Sequence, residues 1–430
     1  MLIMVFAGAA GLLGCCNTDP KPSDTESPET VSSADKENRP ARCRMVGREE
    51  VIGQKSGNDS DLDKVLPFAT ELGEGVAFDG GFAVGALRQE GGGTSSIVVT
   101  SNRDGTAWRV LSIGASHGDA DAPRVFARGN LLGTALLEPS GASRTLRLAS
   151  VDRDRVKWGA EYLQGHDESL AYDVVLGEER GVAVWDDVPK DREVSAIYVA
   201  SFDSTTFERR GDARAVTLPG TDAEMPRLVE RPGGFWLFWV ARRPAPGKWD
   251  ARYRAEDIDY RWLEAVPLDK VGALSGTPTK LGSQDGHVLA YDIAAMPDGS
   301  VVVMWRDDDT PSGSAGGQLL RVRVRLGGVD GPDPMENDQQ GIGAPNVMPG
   351  WLAIADALGP TRLAPMNPDG SLVDQLASEM LFGAGEPVAN QGDNLLVSRP
   401  DGVAMRLFVA QCGRSVIGTG AADAEANDGP

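Results

Sequence analysis

The chain has three histidines, His117, His166 and His287, and each stands a few residues ahead of an apolar, β-branched run. Two acidic stretches follow tryptophans at matching points: Asp186 and Asp187 after Trp185, and Asp307, Asp308 and Asp309 after Trp305. Imidazoles suit zinc or iron, and carboxylates suit calcium. If these groups converge, they could hold a divalent metal, with His166 and His287 as the leading pair. The alternative is three solvated histidines on separate elements, too far apart to share an ion.

Asp173 and Asp292 form a second candidate pair. Each sits inside an apolar run, in Leu170-Ala171-Tyr172-Asp173 and Leu289-Ala290-Tyr291-Asp292. A carboxylate in that setting needs a partner. Either it accepts hydrogen bonds from backbone N–H groups of a neighbouring element, or it faces a cleft as ligand contact or general acid–base. A third group is aromatic: Trp249, Tyr253, Tyr260 and Trp262 lie in an arginine-rich insertion and suit stacking on a sugar or peptide. The same rings could instead fold back as satellite core.

The elements that would position these residues repeat about every fifty residues. Leu170–Asp187 and Leu289–Asp308 share one form: strand, tight turn, strand ending in tryptophan, acidic loop. Units of that form also start near Gly75, Pro123, Pro226, Ala344 and Glu386, which makes seven. Each is followed by a further strand–turn–strand, as in Ser95–Ile113. Four antiparallel strands per unit predict an all-β β-propeller with seven four-stranded blades, six or eight being the alternatives, over a two-domain sandwich. In such a fold the segment leading into each first strand opens on the same face as the loop between the second and third. That face should gather the histidines, the acidic loops and the insertion.

A ring leaves two unpaired edges unless its ends meet. Ala404–Cys412 supplies a third strand of the last unit, and the segment from Arg42 to Gly53 can supply its fourth. Cys43 and Cys412 would then lie together, and a disulfide between them would lock the closure; two free thiols are the alternative.

Outside residues 42–416 the composition changes. Residues 1–14 are apolar and uncharged and end in Leu12-Leu13-Gly14-Cys15. The run is too short to span a bilayer and reads as a secretory signal. Leu-Leu-Gly-Cys resembles the lipobox of bacterial lipoproteins. That resemblance implies a lipidated Cys15 and anchoring to the cell envelope, with the outer membrane as the expected site. Residues 15–41 are rich in Pro, Ser, Thr, Asp and Glu and are expected to form a disordered tether, as is the acidic tail, 417–430. The net charge of −21 argues against a nucleic-acid partner.

One turn carries a second resemblance. Ser101, Asp104, Gly105 and Trp108 resemble the Asp-box of sialidase-like propellers, with the aspartate displaced by one place. The box implies a structural role, with Asp and Ser capping the turn and Trp packing between blades. The Phe/Tyr-Arg-Ile-Pro motif of sialidases is absent, and Ala122-Pro123-Arg124-Val125 does not match it. No catalytic set is complete. The expected function is binding of a glycan, peptide or protein on one face. A glycoside hydrolase or lyase, and a scaffold of an envelope complex, are the alternatives.

Overall fold

The computed structural model describes residues 43–52, 71–90, 93–116, 121–140, 143–152, 155–164, 171–188, 194–243, 259–308, 317–335, 343–355, 361–373, 385–401 and 404–413. These form seven antiparallel sheets in chain order. Blade 1 comprises β2 (Glu71–Phe78), β3 (Gly81–Glu90), β4 (Gly93–Asn102) and β5 (Trp108–Ser116). Blade 2 comprises β6 (Arg124–Arg128), β7 (Leu131–Ser140), β8 (Ser143–Asp152) and β9 (Arg155–Gln164). Blade 3 comprises β10 (Tyr172–Leu176), β11 (Arg180–Asp187), β12 (Ala196–Asp203) and β13 (Arg214–Ala215). Blade 4 comprises β14 (Asp222–Arg231), β15 (Gly234–Arg243), β16 (Tyr260–Asp269) and β17 (Thr279–Lys280). Blade 5 comprises β18 (Val288–Ala295), β19 (Val301–Asp308), β20 (Gly317–Arg325) and β21 (Gly328–Pro334). Blade 6 has three strands among the described residues, β22 (Ala344–Met348), β23 (Trp351–Ala355) and β24 (Arg362–Pro365), and a lone bridge, Met366 to Leu372, where a fourth would begin.

Blade 7 joins the two ends. Its order is β25 (Glu386–Gln391), β26 (Asn394–Asp401), β27 (Ala404–Cys412) and then β1 (Cys43–Ile52). The strand nearest the N-terminus thus supplies the fourth strand of the last blade. Its first residue, Cys43, lies opposite Cys412 in register, and the two form a disulfide.

The middle strands explain why blades stack. In β15 all but the last two residues are buried. A strand covered on both faces should be continuously apolar rather than alternating. Successive residues still point to opposite faces. Phe235, Leu237, Trp239 and Ala241 pack against Val182, Val184 and Val199 of blade 3. Trp236, Phe238 and Val240 pack against Tyr291, Val301 and Trp305 of blade 5. Seven such clusters occur, one between each neighbouring pair of blades, including blade 7 with blade 1. The core is therefore a ring of seven interfaces, and the first strands β2, β6, β10, β14, β18, β22 and β25 form its inner wall. We call the face on which the chain enters these strands the upper face.

In blades 1, 3 and 4 the turn between third and fourth strands clips the blade to the one before. In blade 1, Asp104 Oδ1 accepts hydrogen bonds from Thr106 N (3.2 Å) and Oγ1 (2.7 Å). The closed turn then docks on β1: Arg48 N donates to Gly105 O (3.0 Å), and Trp108 Nε1 donates to Arg48 O (3.0 Å) and Gly105 O (2.8 Å). Gly47 faces this contact at φ +72°, and a Cβ there would fall 2.2 Å from Asp104 O. In blade 3, Asp203 Oδ1 accepts from Thr205 N and Thr206 N, and Phe207 O accepts from Ala160 N of β9. In blade 4, Asp269 caps the turn and Gly272 O accepts from Arg214 of β13. Asp104 thus closes this turn, and Gly105 and Trp108 dock it on β1. Ser101 does not cap: its buried Oγ has no hydrogen-bond partner among the described residues. Asn102 caps in its place, accepting at Oδ1 from Ala107 N (2.9 Å).

Candidate functional site

The inner wall carries a charged side chain aimed at its neighbours on each of five consecutive first strands: Glu74 on β2, Arg124 on β6, Asp173 on β10, Arg227 on β14 and Asp292 on β18. The signs alternate around the ring. Blades 6 and 7 break the series: β22 reads Ala-Pro-Asn-Val-Met and has no charge, and the only one on β25 is Glu386 at its start.

The five groups form one network. Arg124 pairs with Glu74 and places Nε 3.5 Å from Asp173 Oδ1. Arg227 pairs with the other oxygen of Glu74 and with Asp292 Oδ1 at 3.0 Å. Glu74 on blade 1 and Arg227 on blade 4 belong to blades three apart in a ring of seven, so this pair crosses the central channel. Bulges aim both groups. The β2–β3 register slips between Leu72 and Gly75, and the β14–β15 register slips between Glu224 and Arg227. An extra residue in one strand bends it and redirects the side chain beside it. In the second bulge Met225 holds φ +56°, a left-handed conformation rare outside glycine. It is fixed from both sides: its N–H donates to Asp186 Oδ2 (2.8 Å) and its carbonyl accepts from the Tyr291 hydroxyl (2.5 Å).

The two aspartates do more than pair with arginine. Asp173 Oδ2 accepts from Leu228 N of blade 4 (2.7 Å), and Asp292 Oδ2 accepts from Val347 N of blade 6 (2.7 Å). Each carboxylate therefore stitches its own first strand to the next one. Burial pushes the Asp292 carboxyl up to about 6, opposed by the Arg227 guanidinium beside it. Burial also raises Asp173, against Arg124 and Arg227. Glu74 is driven the other way: two arginines outweigh its desolvation and hold it well below the usual carboxylate range. It is also the most accessible of the five, with 36% of its side chain open against 10–17% for the others.

A second polar cluster occupies the upper face of blades 4 and 5. Arg242 lies between Asp222 (2.5 Å), Glu224 (3.6 Å) and Asp259 (3.9 Å). Arg243 pairs with Asp285 and stacks 5.1 Å over Tyr260, whose ring centroid lies 5.6 Å from that of His287. His287 N donates to Asp307 Oδ1 (2.7 Å), and its Nδ1 is 3.1 Å from Asp308 O. A carbonyl only accepts, so Nδ1 carries the proton of that bond.

The remaining sequence candidates fall as follows. Asp186 ties Ala171 N and Met225 N into the inner wall, and Asp187 is buried at the end of β11. Asp307 holds the His287 backbone and is raised by burial; Asp308 is buried beside Arg306 (3.0 Å). Tyr260 and Trp262 lie on strand β16 rather than on a loop. Trp262 is buried between blades 3 and 4, with Nε1 donating to Glu264 (3.0 Å), which is the satellite-core alternative. His117, His166, Trp249, Tyr253, Asp309, Cys15 with its Leu12–Gly14 lead, the tether and the tail lie outside the described residues. Among the described residues no cluster of three or more His, Cys, Asp or Glu is placed to hold a metal.

Glu74, Arg124 and Arg227 do not figure among the sequence candidates. A signal for them exists. Pro123-Arg124-Val125, Pro226-Arg227-Leu228 and Pro345-Asn346-Val347 occupy one repeat position, and Tyr172-Asp173-Val174 and Tyr291-Asp292-Ile293 carry the other sign. Sign alternation by repeat number, rather than any local motif, marks the channel.

No family model and no curated protein matches the sequence. Solved structures do match at low identity. The β-propeller domain of the Trilobed protease from Pyrococcus furiosus is 11% identical, covers 82% of this chain and 100% of its own, and has a TM-score of 0.48. Hydrazine synthase of Kuenenia stuttgartiensis is 12% identical over 84% of this chain and 99% of its own, at 0.49. The GH93 α-L-arabinofuranosidase of Fusarium graminearum is 10% identical over 76% and 95%, at 0.44. At these values the likeness says nothing of a site or a reaction.

Proposed function

We propose that this chain is an exported, lipid-anchored propeller that binds a ligand through its upper face. The ligand is a glycan, peptide or protein. The observation that carries the binding reading is the engagement of Asp173 and Asp292. Both oxygens of each accept a partner, and each joins two blades, so the best candidates for acid–base chemistry serve the ring. The upper face of blades 4 and 5 offers instead the Arg243 guanidinium over the Tyr260 ring, with the buried His287 ring tilted against Tyr260, a pair suited to a planar or sugar-ring ligand. The anchor is supported by Leu12-Leu13-Gly14-Cys15 and the polar segment behind it.

A glycan and peptide array probed with the full chain tests the binding reading. Saturable retention without product, weakened at least tenfold by Tyr260→Ala with Arg243→Ala, is expected. Retention unchanged by that pair would move the site elsewhere. Labelling with a radioactive fatty acid tests the anchor: label on the wild type and none on Cys15→Ser is expected.

One observation favours a second reading, a glycoside hydrolase. A carboxyl held near 6 is what a general acid requires, and Asp292 is one. Turnover of any arrayed glycan, lost in Asp292→Asn with binding retained, would establish that reading in place of binding alone.

A further inference from the structure

The five inner-wall groups do not balance. Three carboxylates, Glu74, Asp173 and Asp292, face two guanidiniums, Arg124 and Arg227. Placed at the centre of a ring whose interfaces are apolar, this leaves the network with an excess of one negative charge when all three carboxylates are ionised. Among the described residues the elements packed around Asp292 offer no third cation. From β14 it meets Arg227 and from β2 Glu74, and on its own strand Tyr291, which in turn interacts with Asp173 of β10 and Arg124 of β6. Strand β22 presents the Val347 N–H and no charged residue. On β19 the one arginine, Arg306, pairs with Asp308.

An uncompensated buried charge is costly, and a buried carboxylate most readily relieves it by taking a proton. We propose that the inner-wall network is a proton-linked latch: the closed ring holds one proton on its two aspartates, Asp292 and Asp173, and loosens as that proton leaves. The protonated carboxyl sits mainly on Asp292. Glu74 stays ionised because it has an arginine on each oxygen. Losing the proton adds a second full negative charge beside Arg227, which already serves Glu74. The seams at stake are the contacts Asp292 makes to β14 and β22.

The sign of the linkage follows. A carboxyl raised in the folded state contributes stability that is complete below its ordinary range and is lost as pH rises through its folded value, about 6 for Asp292. The anion capacity of the two arginines is filled by the chain's own carboxylates. The channel is therefore a place for a proton and a poor place for an acidic ligand.

The test is proton counting on the full chain by denaturant unfolding between about pH 4 and pH 7. Near pH 5 the wild type should take up about one proton more on folding than Asp292→Asn does. Glu74→Gln leaves two carboxylates to two arginines, so it should lose the same proton while leaving Asp292 in place. It also serves if Asp292→Asn fails to fold. Equal uptake in the wild type and both variants overturns the proposal. Loss in Asp292→Asn with full uptake in Glu74→Gln also overturns it, because desolvation of a single aspartate would then suffice without the network. An infrared carboxylic-acid band that titrates near 6 in the wild type and is missing from Asp292→Asn would place the proton directly.

Discussion

The ring is held in two ways. From blade 1 to blade 5 the first strands are joined by alternating charges and by carboxylate-to-backbone bonds. At blade 7 they are not: β22 and β25 meet through neutral contacts, such as Asn346 Nδ2 donating to Pro387 O (2.7 Å). There the closure is made at the periphery, by β1 pairing with β27 and by the Cys43–Cys412 disulfide. A chain that must close on itself needs a fastening only where its ends meet. The continuous blades need none, and the polar network inside them fixes spacing and register. One region is stapled covalently, the other is adjusted electrostatically.

That contrast can be broken from either side. Removing the seam should have the largest effect. Cys412→Ser releases a loop of 369 residues, for which the chain-entropy treatment gives an upper bound of about 6 kcal/mol. Denaturant unfolding of the oxidised wild type against the variant measures it, and added reductant should bring the wild type to the level of the variant. Next is Arg227→Met, which leaves Glu74 and Asp292 each short of a cation. Breaking a buried ion pair from one side costs about 3–5 kcal/mol. Here the loss should shrink as pH falls and the stranded carboxylates take protons. No such pH dependence is expected for Cys412→Ser, which is the sharpest separation of the two fastenings.

Smaller effects sharpen the comparison. Trp108→Phe removes the indole N–H shared by Arg48 O and Gly105 O, and should cost about 1 kcal/mol in equilibrium unfolding. It should also raise exchange of the β1 amides more than those of β12. Last is the acid limb. Glu74 sits far below its ordinary range, so its contribution is present above that range and fades as pH falls through the folded value. In acid titration Glu74→Gln should lose less stability than the wild type does.

Much of the fold was legible because it is repetitive. Seven units with turn residues and β-branched strands carry their own cross-check, and the two terminal cysteines had one sensible meeting point. Asp173 and Asp292 stood out as charges inside apolar runs, and their bonds to the next blade follow from the need to satisfy them. The rest was hidden for identifiable reasons. Trp262 reads as part of an insertion because its neighbours are arginines and aspartates, yet it is the first buried residue of the third strand of blade 4. Asp186 looks like a loop acid but serves two backbone amides on two blades. Glu74 and Arg227 meet because two bulges turn them inward, and a one-residue slip leaves no mark in composition.

The Glu74–Arg227 pair has a consequence for traffic. It runs from one side of the lumen to nearly the opposite side, and Arg124 braces it from a third blade. A polypeptide or glycan strand could not be threaded from one face to the other without undoing at least two ion pairs. Among the described residues the lumen is bridged from side to side rather than open. On the binding reading proposed above, a ligand of the upper face would enter and leave by that face.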